Sequence, residues 1–526
     1  MRTAVGALVA ALLVAAACTG DDAGPAPTTA AIEAPASLRL ALPGPLPVDP
    51  ATANPGSFAE LMVADLLHDG LTEVDDDGAL RPGLAAEWAH DAETRTWTFT
   101  LAEDATFSDG SPVTAADVVA SITRVAAASP PTLASLRLEA VVGHEALAAG
   151  ETDELSGVRA VDDATVEIET EQPMATLPLV LAAPELGIVA VDAIERLDPG
   201  QTPPSDLPLS GRWELAAVED EVVALAPRDG AISLAGIELH LVDDEHAAYD
   251  AFAAGDVDWA PVPADRHDEA VEAHGDEHFA PFHAEVFLGL RVDGPLAAAP
   301  LRRAVAAALD RDALAGLYAD VADPLSSLVP AGVPGHDSDA CGAPAWCGHD
   351  PDEAEVLLAD AFPEGDVPTL ALDFDDTPRQ RALAEAVAED LEAVGIPVEL
   401  RPHDRDEYRS FVASGDQQLF SLGWIGGYAS PDAYLTPLLA SGSDDNLTGT
   451  ADTSIDLGLA AARASDDPDA AAGAWAEVER RALDAAVVVP IAQFRVQVVV
   501  ADRVEGLAHR VDGTVDWREV HLAGTA

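Results

Sequence analysis

The stretch TWTFTLAEDATFSDGSPVTAADVV, residues 96–119, passes from strand to turn to helix within a few turns of chain. Trp97, Phe99 and Leu101 alternate with threonines, and that period of two predicts a strand with one buried face. Ser108-Asp109-Gly110 supplies turn chemistry. Thr114 is placed to cap a helix that begins Ala115-Ala116-Asp117. Other apolar runs on either side obey the same rules. Ser37–Leu42 (SLRLAL) alternates as a first strand, and Leu61, Val63, Leu66 and Leu67 mark a helix after a Pro/Asn loop. Mixed segments of this kind predict an α/β protein.

The chain has 526 residues, which is too many for one core, and 48% hydrophobic content supports two or three domains. Lys+Arg total 27 against 94 Asp+Glu, a formal net charge of -67, and lysine is absent. Such a charge repels nucleic acid and anionic membrane surfaces, so no nucleic-acid partner is expected. It reads as a well-solvated acidic surface, or as adaptation to high external salt, where screening removes the self-repulsion.

The N-terminus reads as a targeting segment, residues 1–17. Arg2 is a short positive region, and Val5–Val14 is apolar but too short to span a bilayer. Ala15-Ala16-Ala17-Cys18 resembles a lipoprotein signal, with Cys18 as the lipidated residue, although a simple secretory signal also fits. Residues 18–36 are rich in Pro, Ala, Thr and Asp, a composition that predicts a flexible linker. No later run is long and apolar enough for a membrane helix. The other two cysteines, Cys341 and Cys347, form an even pair in an exported chain and predict a local disulfide.

The motifs follow one another in a recognisable order. Asp49-Pro50, Gly70-Leu71, Pro82-Gly83-Leu84-Ala85 with Trp88, Thr96–Leu101 and Phe107–Val118 come first. Leu209–Trp213, Ala251–Val262, Gly294–Leu314 and Asp350–Ala361 follow. Gly395-Ile396-Pro397-Val398 comes after a long helix, then Ser414–Tyr434 and Val489–Leu507. In this order the chain resembles the large solute-binding proteins of ABC importers, the family that carries oligopeptides, dipeptides and nickel. The resemblance implies a two-lobed flytrap of α/β class with an extra subdomain. It places lobe 1 at 37–285 plus 487–526, an inserted subdomain at about 68–180, and lobe 2 at 286–486. It implies a monomer without cofactors, held by lipid to the outer face of the cytoplasmic membrane. Its partners would be a small-molecule solute, such as a peptide, and an ABC permease with its ATPase.

The expected ligand contacts centre on Ser421–Tyr434, SLGWIGGYASPDAY. Glycines admit close backbone approach, and aromatic faces add rigid apolar area. Trp424, Gly426, Gly427, Tyr428 and Asp432 are the candidates there. Peptide-carrying relatives have Asp where Gly427 stands, paired with the ligand ammonium. Free-amino peptides therefore lack a partner unless Asp432 or another acid provides one. Arg379 and Arg381 are candidate carboxylate clamps, with exposed helix-start arginines as the plain alternative. Asn54, Ser57 and Phe58 lie in an early loop expected to line the cleft.

Enzyme signatures such as GxSxG, HExxH and the phosphate-binding loop are absent, and no catalysis is expected. His267, His274, His278 and His283 cluster among acids, and His274 with His278 has helical i,i+4 spacing. A metal-dependent extracellular peptidase is thus a rival, with a ligand sensor of the same fold as another. The main expectation carries no metal.

Overall fold

The computed structural model describes residues 37–523 apart from 77, 198–203, 220, 229, 231 and 343–344. The expected signal peptide, the linker and Cys18 lie outside the described residues. Two six-stranded sheets carry the architecture.

The first sheet runs, edge to edge, Val498–Val500, Trp259–Pro261, Leu38–Pro43, Ile237–Val242, Val222–Pro227 and Trp213–Val218. Leu38–Pro43 is central and parallel to Ile237–Val242, from Leu38 opposite Ile237 to Pro43 opposite Val242. Its near-continuous apolar character suits a strand buried on both faces. The edge strand Val498–Val500 comes from the far end of the chain and pairs antiparallel with Trp259–Pro261. Beside that junction Asp258 binds two arginines, Arg39 from the first strand and Arg503 from the last segment, at 2.8 and 2.6 Å. Burial pulls the Asp258 carboxyl upward, but hydrogen bonds from Arg503 and Arg39 outweigh it and hold the group at about 2.

The second sheet runs Ala322–Pro324, Val488–Val496, Ala280–Leu290, Leu419–Ile425, Leu370–Asp375 and Val398–His403. Ala280–Leu290 is its spine, antiparallel to both neighbours. Val286, Leu288 and Leu290 pack into one core with the helix Pro378–Ala393, which bridges the parallel strands Leu370–Asp375 and Val398–His403. Phe287 points into the other core, so both sides of this strand are covered.

A smaller four-stranded sheet, ordered Ala85–Asp91, Thr96–Leu101, Thr165–Glu169 and Val158–Ala160, occupies the region of the expected insertion. Trp97, Phe99 and Leu101 are buried while Thr96, Thr98 and Thr100 are half-buried, as the alternation requires. Helix Ala115–Ala126 starts where the cap places it. The backbone N–H and hydroxyl of Thr114 both donate to Asp117, and the other Asp117 oxygen accepts from Val191 N–H.

Ala280–Leu290 and Val488–Val496 belong whole to the second sheet, and the chain enters the first sheet only after Gln497. The run from Val487 to Val500 is apolar throughout except Gln493, Arg495 and Gln497, so its sequence carries no plain break. Gln497 marks the change. Its amide donates to Asp320 O at 2.6 Å, and its carbonyl meets His267 Nδ1 at 2.8 Å. Cys341 and Cys347 are disulfide-bonded, with Cα atoms 5.8 Å apart.

Candidate functional site

Trp424 sits near the end of Leu419–Ile425, opposite Glu285 of the spine strand. It is 8% exposed, and its indole N–H donates to Ala433 O at 2.9 Å. Two cavities meet at this residue. One, of about 460 Å³, is bordered by Gly56, Phe58 and Val262 on the first-sheet side and by Trp424, Ile425 and Phe494 on the other. The second, of about 500 Å³, lies between Leu133, Leu136, Arg137 and Met174 of the inserted region and Trp424 with Tyr428. Apolar walls with a few polar groups are what a small-molecule site requires, and both volumes suit one.

The structure gathers some of the sequence candidates and separates others. Phe58 faces the first cavity, packed edge-on to Trp259 and Phe282 with ring centres 6.3 and 6.4 Å away. Its neighbours shape the loop instead. Asn54 Oδ1 accepts from Gly56 N–H at 3.0 Å, and Ser57 caps the helix Phe58–Leu67 by accepting from Glu60 N–H. Gly426 donates its N–H to His283 O at 3.0 Å, with the Tyr434 ring where a side chain would be. Tyr428 is buried, and its hydroxyl donates to Asp432 at 3.1 Å. Burial, with the Asp432 charge second, holds that phenol protonated.

Asp432 borders the second cavity but is already saturated. One oxygen accepts from Thr176 and Tyr428 at 2.7 and 3.1 Å. The other accepts from Thr436 at 2.5 Å and lies 3.3 Å from Arg463 Nε. It has little left to offer a ligand ammonium. Arg379 and Arg381 border neither cavity. Arg379 forms a bidentate pair with Asp320 at 2.7 and 2.8 Å, and Arg381 pairs with Asp376. The Arg379 fork is occupied.

Gly427 has φ +81°, which a residue with a side chain rarely adopts. A Cβ there would lie 1.5 Å from Arg137 Nη2 and 2.0 Å from its Cζ. The guanidinium of Arg137 therefore fills the side-chain space that glycine vacates. Its Nη1 donates to Glu185 at 3.2 Å, and both side chains of that pair are almost wholly buried. Sequence reasoning missed Arg137, Phe494 and Gln497. Arg137 lies in a plain amphipathic run, LASLRLEA, and only the scarcity of cations hints at it.

The histidines scatter. His267 meets Gln497, His274 packs edge-on to Phe252, and His283 is buried with Nε2 3.1 Å from Pro55 O. Among the described residues no group of three or more His, Cys, Asp or Glu is placed to hold a metal ion.

The family model described as bacterial extracellular solute-binding proteins, family 5 (middle) matches residues 79–446. The chain is 27% identical over 407 residues to the periplasmic oligopeptide-binding protein OppA of Salmonella typhimurium, covering 72% of this chain and 73% of that protein. Among solved structures, the unliganded open form of the periplasmic murein tripeptide-binding protein MppA superposes with a TM-score of 0.81 at 23% identity. That match covers 92% of this chain and 97% of the other. OppA of Haemophilus influenzae, in complex with the peptide RPPGFSPFR, gives 0.65 at 20% identity over 92% and 99% of the two chains.

Proposed function

As this chain belongs to the bacterial extracellular solute-binding proteins of family 5, we propose that it takes a small peptide-like or other polar solute outside the membrane and delivers it to an ABC permease. The cavity between Phe58 and Trp424 carries this reading, because one wall comes from strands of the second sheet and the other from the loop and helix segments at Gly56, Phe58, Glu245 and Val262, which adjoin the first sheet. A solute held there contacts both walls fully only when they approach, so its binding energy favours closure. The chain changes sheet at Gln497 and before Ala280, which supports lobes of 37–279 with 497–526, and 280–496. Cys18 is the proposed lipid anchor and the protein acts as a monomer.

Within this reading, peptides with a free ammonium bind weakly at Gly427. That residue has no charge, and Asp432 is spent on internal partners. The test uses the mature protein purified without refolding. Native mass spectrometry should detect a retained small solute, and that solute should contract the protein in solution scattering. Phe58→Ala should weaken its binding at least tenfold, through loss of about 1.4 kcal/mol or more of apolar contact. A solute library that moves neither melting temperature nor scattering profile would refute the reading.

A further inference from the structure

We propose that His267 and Gln497 form the pin of a hinge between the two lobes, holding the axis about which the ribbon at Ala280 and Val496 bends. This deepens the solute-capture reading and rests on its two lobes.

The chain passes between the sheets at two places, and the two passages lie side by side. Ala280 pairs with Val496 and Pro281 with Arg495, so the crossing is a ribbon of two strands. Just beyond it the ladder breaks. The next pair is Glu285 with Gln493, which leaves Phe282, His283 and Ala284 opposite Phe494 alone. Surplus residues bend a strand and cost it ladder bonds, so this stretch is the soft part of the ribbon. Phe282, Ala284 and Phe494 also border the first cavity. A solute held there lies against the segment that bends.

A two-stranded ribbon twists readily, and Gln497 supplies the restraint. It is 5% exposed, and its backbone carbonyl accepts from Val262 N–H at 3.0 Å on the first-sheet side. Its side chain reaches the other lobe, where Nε2 donates to Asp320 O at 2.6 Å. Asp320 is fastened there by Arg379. A carbonyl only accepts, so this bond fixes the orientation of the amide. It turns Oε1 to His267 Nδ1 at 2.8 Å, and that nitrogen therefore carries the proton. His267 opens the helix His267–His274, whose Ala270 shares a core with Ala41 and Val499 of the first sheet. Two hydrogen bonds through one amide thus run from lobe to lobe. His267 grips the other passage as well, with its ring centre 5.7 Å from that of Phe279, the residue before Ala280. Arg495 covers Phe279 from the opposite strand at 5.9 Å and pairs with Asp323 at 2.9 Å. Both passages are held at one point, and the soft stretch lies just past it.

The test places spin labels on Val191→Cys and Val356→Cys, both more than half exposed and one on each lobe. Electron-resonance distance measurements on the mature protein, freed of solute, should give a narrow distribution. Gln497→Leu keeps the bulk but removes both bonds, and should broaden that distribution at least twofold. His267→Leu should broaden it equally, whereas His267→Asn, whose amide N–H stands in for Nδ1–H, should keep it close to wild type. Combining Gln497→Leu with His267→Leu should add nothing to either alone, since both cut one tie. Melting curves check that each variant folds, and should Gln497→Leu not fold, the two His267 variants decide. A wild-type width in Gln497→Leu or His267→Leu would overturn the pin. Broadening as large in His267→Asn as in His267→Leu would also overturn it, because the ring and not the bond would then be responsible. The measurement uses no solute, so either result leaves solute capture standing, and a failed search for solutes would not alter the widths.

Discussion

Replacing Gly427 by alanine adds one carbon and should cost far more than one carbon usually does. The backbone sits at φ +81°, where a side chain costs about 1 kcal/mol. The new Cβ would also stand 1.5 Å from Arg137 Nη2, so the guanidinium has to leave. Its departure breaks the buried pair with Glu185, whose side chain is 3% exposed, and leaves that carboxylate without its cation. Disrupting such a pair from one side costs about 3 kcal/mol or more. The expected loss is therefore about 4 kcal/mol in urea unfolding followed by tryptophan fluorescence. A double-mutant cycle separates the two contributions. In an Arg137→Ala background nothing remains to displace, and Gly427→Ala should cost only about 1 kcal/mol. A loss within about 1 kcal/mol of wild type, or an equal loss in both backgrounds, would refute the claim that glycine is there to seat the arginine.

Two further outcomes follow from charge. Burial pushes Glu479 up to about 7, despite N–H donors from Leu328 and Val329 at 2.6 and 3.0 Å. Its folded value thus exceeds the unfolded one. The folded state holds the extra proton, and stability falls as pH rises from about 4.5 toward 7. Glu479→Gln should raise stability by up to about 2 kcal/mol at alkaline pH and by almost nothing near pH 4; an equal change at both would be evidence against this. The net charge of -67 should make the protein salt-requiring. Its unfolding midpoint should rise as ionic strength goes from about 0.01 to about 1 M, over which the Debye length shrinks from about 30 to about 3 Å, and a flat response would sink the idea.

The architecture was legible wherever local pattern decides structure. Trp97, Phe99 and Leu101 alternate because one face of their strand is buried, and the helix expected after Thr114 starts at Ala115, with Asp117 accepting from Thr114 as an added partner. The sheet change at Gln497 was not legible, because a valine-rich run pairs equally well in either sheet. The candidate site was legible in part. Trp424 and Phe58 stood out as aromatics in a chain with few. Ser57 and Asn54 shared their loop but serve its turn and cap. Arg379 looked free in sequence, yet its partner Asp320 is remote along the chain and only folding brings the two together. Arg137 stayed hidden for the same reason. Its surroundings come from Glu185 and Gly427, and a single sequence does not record which distant glycine leaves room for which arginine.

The junction at Asp258 also bears on the order in which the protein can be completed. A ribosome makes Leu38–Pro43 long before Val498–Val500, yet both belong to one sheet and flank Trp259–Pro261. Until Arg503 emerges, Asp258 has one of its two cations and the outer edge of Trp259–Pro261 stands unpaired. A growing chain is therefore unfinished in an early segment until a much later one arrives.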